Sequence, residues 1–148
     1  MALAAAQDAL SLREPTPADG AAEQIDGRAE HPGILAAMKV IRNDELPTSG
    51  GSPEFVGEDN GGVGISVILV EADPGRGPSL HKHDYPEVFV VLERQASFRG
   101  GDEQVDVPAG HMVVVPAGEA HGFKNSGEGT LRQVAIHVSP RFATEWLE

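Results

Sequence analysis

The sequence predicts an all-β fold, a small sandwich or barrel of short strands, on three observations. Glycine (18) and proline (11) are frequent for 148 residues, which favours many turns over a few long helices. From about Ile34 onward, short runs rich in Val, Ile and Phe recur, each bounded by turn-forming residues. No helical stripe of apolar residues runs through the middle of the chain.

Residues 1–33 read as a flexible N-terminal arm, and residues 34–148 as one barrel domain. The arm is rich in Ala, Asp, Glu and Pro and has no aromatic residue. Within it, Ala2 to Leu12 predicts a short helix and Pro15 to Arg28 a polar, mobile stretch. A loose tail is expected; the alternative is an arm that packs on a partner subunit. Strands are predicted at Ala37–Arg42, around Phe55-Val56, and at Val63–Ala72, Glu87–Glu93 and Ala96–Arg99. Further strands are predicted at Gln104–Val107, His111–Val115, His121–Lys124 and Leu131–Val138. The segments between them, such as Gly100-Gly101-Asp102, Pro108-Ala109-Gly110 and Pro116-Ala117-Gly118, carry turn chemistry. Regularly spaced short strands of this kind build a sandwich or a barrel. Ser139 to Glu148 predicts a short closing helix, with Ser139 as N-cap and Pro140 as its first residue. A hydrophobic content of 40% is enough for one core, and no internal repeat suggests a second.

The formal net charge is −12, from 23 acidic against 11 basic residues. Such a field repels nucleic-acid backbones and anionic membrane surfaces, so neither is an expected partner. The absence of cysteine excludes a disulfide framework and a thiolate metal site. Met1 to Ala6 carries no basic segment, and its apolar run is too short for a signal peptide. No run approaches the length of a transmembrane helix. A soluble cytoplasmic protein is the expectation.

The chemistry concentrates in two stretches. In Gly75 to Glu87 (GRGPSLHKHDYPE), His81 and His83 stand two residues apart. In a strand, residues i and i+2 share a face, so both imidazoles can reach one ion while Lys82 points away. Tyr85 precedes a proline and is biased to extended geometry, which lets Glu87 enter the next strand with its carboxylate turned back toward the histidines. In Gly110 to Asn125 (GHMVVVPAGEAHGFKN), a buried strand ends at Pro116-Ala117-Gly118, and the returning chain puts His121 at the start of the next strand. Three imidazoles and one carboxylate suit one divalent ion, whether Fe, Mn, Ni, Zn or Co. In a six-coordinate ion two positions stay open for water, substrate or dioxygen, the mark of a catalytic rather than a structural site.

These stretches resemble the two motifs of the cupin family. The first reads Gly75, RGPSL, His81-Lys82-His83, DYP, Glu87, VFVVLE, Arg94; the second reads Gly110, HMVVV, Pro116-Ala117-Gly118, EA, His121, GFK, Asn125. The second is a complete match. The first departs at Arg94, where the family has a glycine that serves a tight turn. The motifs span about a third of the chain, and the flanking strands extend the likeness from roughly Ile34 to the end. The resemblance implies a cupin double-stranded β-helix, a jelly-roll-like barrel, with His81, His83, Glu87 and His121 as metal ligands. A homodimer is also expected, since open outer strands would otherwise be exposed edges. Ala37–Arg42 and Phe142–Trp146 are the candidate contacts.

His31 falls in the arm, and His111 matches no ligand position. On Leu131–Val138, Leu131, Gln133, Ala135 and His137 share one face and Arg132, Val134, Ile136 and Val138 the other. The second face is the more apolar, which turns Gln133 and His137 outward; the alternative places them in the pocket as catalytic candidates. Tyr85 is a third candidate, at the pocket mouth. Phe123 is expected in the core, Asn125 as a turn support, Lys124 and Arg132 at the solvated surface, and Phe142 and Trp146 packed on the barrel or a second subunit.

The resemblance implies a metal-dependent enzyme acting on a small organic molecule, with dioxygenase chemistry ahead of isomerase, decarboxylase or lyase chemistry. The alternative is a non-enzymatic module that binds a metal or a small molecule. A complete DNA-binding regulator lacks room, and a storage role is disfavoured by the small size. A second acid or base beside the metal favours the enzyme; a wholly apolar pocket favours simple binding.

Overall fold

The structure, a computed structural model, describes residues 38–148. The predicted arm and the start of the predicted barrel domain lie outside the described residues. One turn of 3₁₀ helix, Asn43–Glu45, precedes eleven strands. They are β1 Thr48–Ser49, β2 Ser52–Phe55, β3 Ser66–Ala72, β4 His81–Lys82, β5 Glu87–Glu93, β6 Gln95–Gly100, β7 Glu103–Pro108, β8 Met112–Val115, β9 His121–Asn125, β10 Leu131–His137 and β11 Glu145–Trp146. They form a six-stranded sheet, β1-β2-β3-β10-β5-β8, and a five-stranded sheet, β11-β4-β9-β6-β7. Every pairing is antiparallel. This is the all-β, double-stranded β-helix architecture that the sequence predicts. Among the described residues, no helix is long and apolar enough to cross a membrane.

The two sheets meet over one core. Val70, Phe89, Val91, Val115, Leu131 and Ala135 come from the larger sheet, and Ala96, Phe98, Val107 and Phe123 from the smaller. Alternation along each strand sends these residues inward. Phe89 joins the sheets through edge-to-face contacts with Phe98, at 5.0 Å between ring centres, and with Phe123, at 5.6 Å. Each such pair contributes about 0.5–1.5 kcal/mol beyond its buried area.

Three local predictions need correction. Ala37–Arg42 is not a strand: Met38 forms an isolated bridge, 39–42 are irregular, and Ala37 lies outside the described residues. Met38 (63% exposed) and Val40 (48%) lack a core face to bury, so their alternation has nothing to pair against. The strand predicted from Val63 begins only at Ser66. Val63 instead folds over Gly57, its N–H donating to the Gly57 carbonyl at 3.1 Å. A Cβ on Gly57 would stand 2.0 Å from the Val63 carbonyl oxygen, so only glycine admits this approach.

The predicted C-terminal helix is also absent. After a local turn in which the Ser139 hydroxyl donates to the Arg141 carbonyl, the chain runs extended and β11 pairs with β4. Its backbone groups are taken by the barrel: Ala143 N–H by the Tyr85 hydroxyl, and Leu147 N–H by the Leu80 carbonyl. Long-range partners outcompete the local capping signal.

Arg94, in place of the motif glycine, joins β5 to β6 with φ of +70°. The turn keeps the left-handed backbone that glycine would take freely.

Candidate metal centre

The four ligand candidates sit at or beside strand ends, on one side of the barrel. His81 opens β4 and faces His121, which opens β9. His83 lies just past β4, where its carbonyl accepts Gly118 N–H at 2.7 Å. Glu87 opens β5, between Val115 of β8 and His137 of β10. All four are buried, at 2–5% exposure, and one ligand atom from each lies within 4.8 Å of the others. Lys82 turns away, as the period of two requires, and pairs with Glu145 at the surface.

The donor set fits a metal ion on observations independent of the motif. Each imidazole donates Nδ1–H to a backbone carbonyl: His81 to Ser79 at 2.7 Å, His83 to Ala143 at 2.8 Å and His121 to Glu119 at 2.9 Å. That leaves Nε2 as the free donor on each ring, the arrangement that outer-shell carbonyls impose on metal-binding histidines. His83 Nε2 is buried with no aligned hydrogen-bond partner, although Glu87 Oε2 stands 3.1 Å away. His121 Nε2 lies 2.8 Å from the same oxygen. A cation between these atoms would satisfy all of them at once.

The electrostatics follow from burial and crowding. Burial, aided by His121 and His83, pushes the His81 imidazole below its ordinary range, against the Ser79 carbonyl and Glu87. Burial also opposes charge on His83, but the contacts with Glu87 and the Ala143 carbonyl outweigh it and raise this ring. Burial by itself would raise the Glu87 carboxyl; the contacts with His121, His137 and His83 outweigh it and hold Glu87 far below the usual carboxylate range. Burial raises the Tyr85 phenol.

Beside this cluster opens a pocket of about 630 Å³, lined in part by His81, His83, Glu87, Phe89, Phe123 and His137. Its volume is of the size that takes a small organic ligand. Arg76 and Asp73 stand at its loop side, and Phe142 and Trp146 at its C-terminal side.

His137 requires a correction. It is 3% exposed and faces inward, as does Gln133 at 1%. The apolar Val134 and Ile136 take the outer face of β10 and are only half-buried. Apolarity misleads here because the barrel keeps polar side chains inside, next to Glu87. His137 lines the pocket, whereas Gln133 lies deeper, paired in register with Val70 and Val91, and its amide has no hydrogen-bond partner among the described residues. Tyr85 is buried and stacks on His83 at 4.9 Å between ring centres.

The remaining described residues fall where expected. Asn125 supports its turn, donating to the Ala72 and Gly129 carbonyls and accepting Gly127 N–H. His111, Lys124 and Arg132 are exposed, and His31 lies outside the described residues. Phe142 packs on His137 and Trp146 on His81. The contribution sequence reasoning missed is the backbone of Ala143, which serves both His83 and Tyr85. A peptide group carries no side-chain signature, so no sequence signal could have found it.

Comparison with known proteins agrees with this fold. The family model described as the Cupin domain matches residues 68–137. An uncharacterised protein of Streptomyces coelicolor is 33% identical over 108 residues, which cover 70% of this chain and 98% of the relative. An oxalate-binding protein of Thermotoga maritima is 25% identical over 117 residues, covering 67% of this chain and 93% of the relative. Among solved structures, a Klebsiella pneumoniae protein with a double-stranded β-helix domain superposes with a TM-score of 0.60 at 20% identity, covering 75% of this chain and 98% of that one.

Proposed function

Because the chain belongs to the cupin family, we propose that it is a metal-dependent enzyme acting on a small organic molecule, with His81, His83, Glu87 and His121 as ligands of one divalent ion. The observation that carries this reading is the convergence of four buried donors, three of which, His81, His83 and Glu87, line a pocket of ligand size. A bound Fe, Mn, Ni, Zn or Co ion would supply Lewis acidity or, with a redox-active metal, oxygen chemistry of the dioxygenase type.

The protein's own residues do the rest. The Ser79, Ala143 and Glu119 carbonyls fix the three imidazoles in the tautomer that presents Nε2. Phe89, Phe123 and Phe142 give the pocket apolar walls, which hold a small molecule and limit water. His137 adds a fourth imidazole, outside the proposed ligand set and beside Glu87, which favours an enzyme over a passive pocket.

The second reading, a non-enzymatic binding module, draws on the Thermotoga relative, whose name describes binding rather than turnover. Metal analysis of protein purified without added metal, then O₂-uptake and product screens with small carboxylic acids including oxalate, separates the two. Protein free of bound metal, and unable to take up Mn²⁺, Fe²⁺ or Co²⁺, would sink the enzyme reading and leave only a small-molecule module. Metal with tight oxalate binding but no turnover would select the second.

We also propose a homodimer. The support is the outer face of the larger sheet, where two apolar rows run across four strands in register. Leu69, Val134, Val90 and Met112 form one row; Val67, Ile136, Val88 and Val114 form the other. Met112 (68% exposed) and Val114 (69%) stand open at its edge.

A further inference from the structure

Tyr85 and His137 meet beside Glu87 in a way that determines which ring nitrogen carries the proton. The Tyr85 oxygen accepts Ala143 N–H at 3.0 Å, and His137 Nδ1 stands 3.2 Å from the same oxygen. The hydroxyl has one proton to give, and among the described residues His137 Nδ1 is its one acceptor within reach. Tyr85 therefore donates to Nδ1, and a neutral imidazole that accepts at Nδ1 carries its proton on Nε2.

A second contact leads independently to the same tautomer. His137 Nε2 lies 3.0 Å from Glu87 Oε1. A bare Nε2 lone pair there would face a carboxylate oxygen, which is repulsive; an N–H is attracted to it. The N–H lies off the direct line, so His137 Nε2 has no fully aligned hydrogen bond and acts on Oε1 as an oriented dipole. The other carboxylate oxygen, Oε2, faces His121 Nε2 and His83 Nε2. The two oxygens of Glu87 thus have different neighbours, Oε1 the Tyr85–His137 pair and Oε2 the ligand imidazoles.

We propose that Tyr85 and His137 are positioning residues that hold Glu87 by Oε1, so that Oε2 alone is offered to the ion. This rests on the metal-centre reading above and deepens it. A carboxylate that gives one oxygen rather than two leaves free a coordination position that chelation would occupy, and His137 lines the pocket.

The test is Co²⁺ affinity, by competition with a chelator, together with the visible absorption of the Co²⁺-loaded protein, which reports coordination number. Parent, His137→Gln, His137→Leu and Tyr85→Phe are compared, with far-ultraviolet circular dichroism to check folding. His137→Leu is expected to weaken binding about tenfold or more, the usual scale for losing an outer-shell partner, and to change the Co²⁺ bands. His137→Gln, whose amide N–H can stand near the place of Nε2–H, should stay within about threefold of the parent and keep its spectrum. Tyr85→Phe frees the ring to shift its proton, and a loss of about three- to tenfold is expected. Parental affinity and spectrum in His137→Leu would overturn the proposal. So would a His137→Gln variant as weak as His137→Leu with both folded, since packing and not the donor would then matter. Should the His137 variants fail to fold, Tyr85→Phe decides alone, and parental behaviour there overturns it. A parent that takes up no Co²⁺ defeats the metal reading itself; a parent that binds normally beside unchanged variants defeats only the positioning role.

Discussion

His83 is oriented by Ala143: its Nδ1 donates to the Ala143 carbonyl at 2.8 Å, across 60 positions in sequence. His81 and His121 are oriented by carbonyls only two positions upstream. Two of the three imidazoles are thus set locally, and the third depends on the C-terminal segment that runs beside β4. Chain ended after Arg141 should keep the barrel but lose the acceptor for His83 and the cover of Trp146 over His81. Metal affinity is expected to fall about tenfold. Chelator competition on the shortened chain checks this, and an unchanged affinity would show the Ala143 carbonyl to be dispensable.

Metal and acidity compete for the same nitrogens. An ion takes Nε2 only when no proton is there, so the metal-dependent rise in Tm should be present near neutral pH and shrink as pH falls. In the metal-free cluster His83 is raised and His81 lowered, so His83 is the ring at which protons are expected to compete with an incoming ion first. His121→Ala should abolish most of the metal increment, and His111→Ala, an exposed residue outside the cluster, should leave it nearly intact. Equal losses in the two variants in a thermal-shift titration would refute the assignment.

Without metal the signs differ, and each follows from its shift. The raised His83 contributes stability that is full below the unfolded histidine value and is lost as pH rises through its higher folded value. The lowered His81 does the reverse, costing stability as pH drops below the unfolded value toward its folded one. Glu87, held far down, contributes stability that is present above the unfolded carboxyl value and lost only in strong acid. Metal-free protein should therefore show little loss of Tm between neutral pH and about pH 5, because the two histidines oppose each other and Glu87 stays ionised. A steep loss in that window, measured calorimetrically with chelator present, would contradict this balance.

Arg94 carries a left-handed backbone, which costs an L residue about 1–2 kcal/mol. Glycine would remove that strain but add roughly 0.5–1 kcal/mol of unfolded-state entropy. The Arg94 side chain also packs beside Gly129, where an added Cβ would stand 3.2 Å from the guanidinium. Arg94→Gly is expected to raise Tm by about 1–4 °C in thermal denaturation. A fall of that size would mean that the guanidinium contact outweighs the strain.

The outer apolar rows predict association. Sedimentation at micromolar concentration should give about twice the 15.6 kDa chain mass, and Val114→Asp should return it to the single-chain value. The segments Ala37–Arg42 and Phe142–Trp146 are further candidate contacts: residues 39–42 are irregular and Phe142 packs on His137, whereas Trp146 is 59% exposed. A parent protein that sediments only as one chain would rule the dimer out.

By itself the sequence determined the strand-rich class, most strand positions and the four members of the buried His/Glu cluster. These are legible because each rests on short-range regularities: a period of two that puts His81 and His83 on one face, and turn residues that return Glu87 and His121 to it. Only the tertiary structure decided which way β10 faces, because both of its faces are consistent with alternation. The choice falls to its neighbours: Glu87 of β5 and Ser66 of β3 flank His137, and the barrel interior holds polar groups where a pattern argument expects apolar ones. The same holds for the C-terminal segment, whose local sequence suggests a capped helix. Its partners, His83, Tyr85 and Leu80, lie about sixty residues away, and contacts at that distance leave no mark in the local pattern that would reveal them.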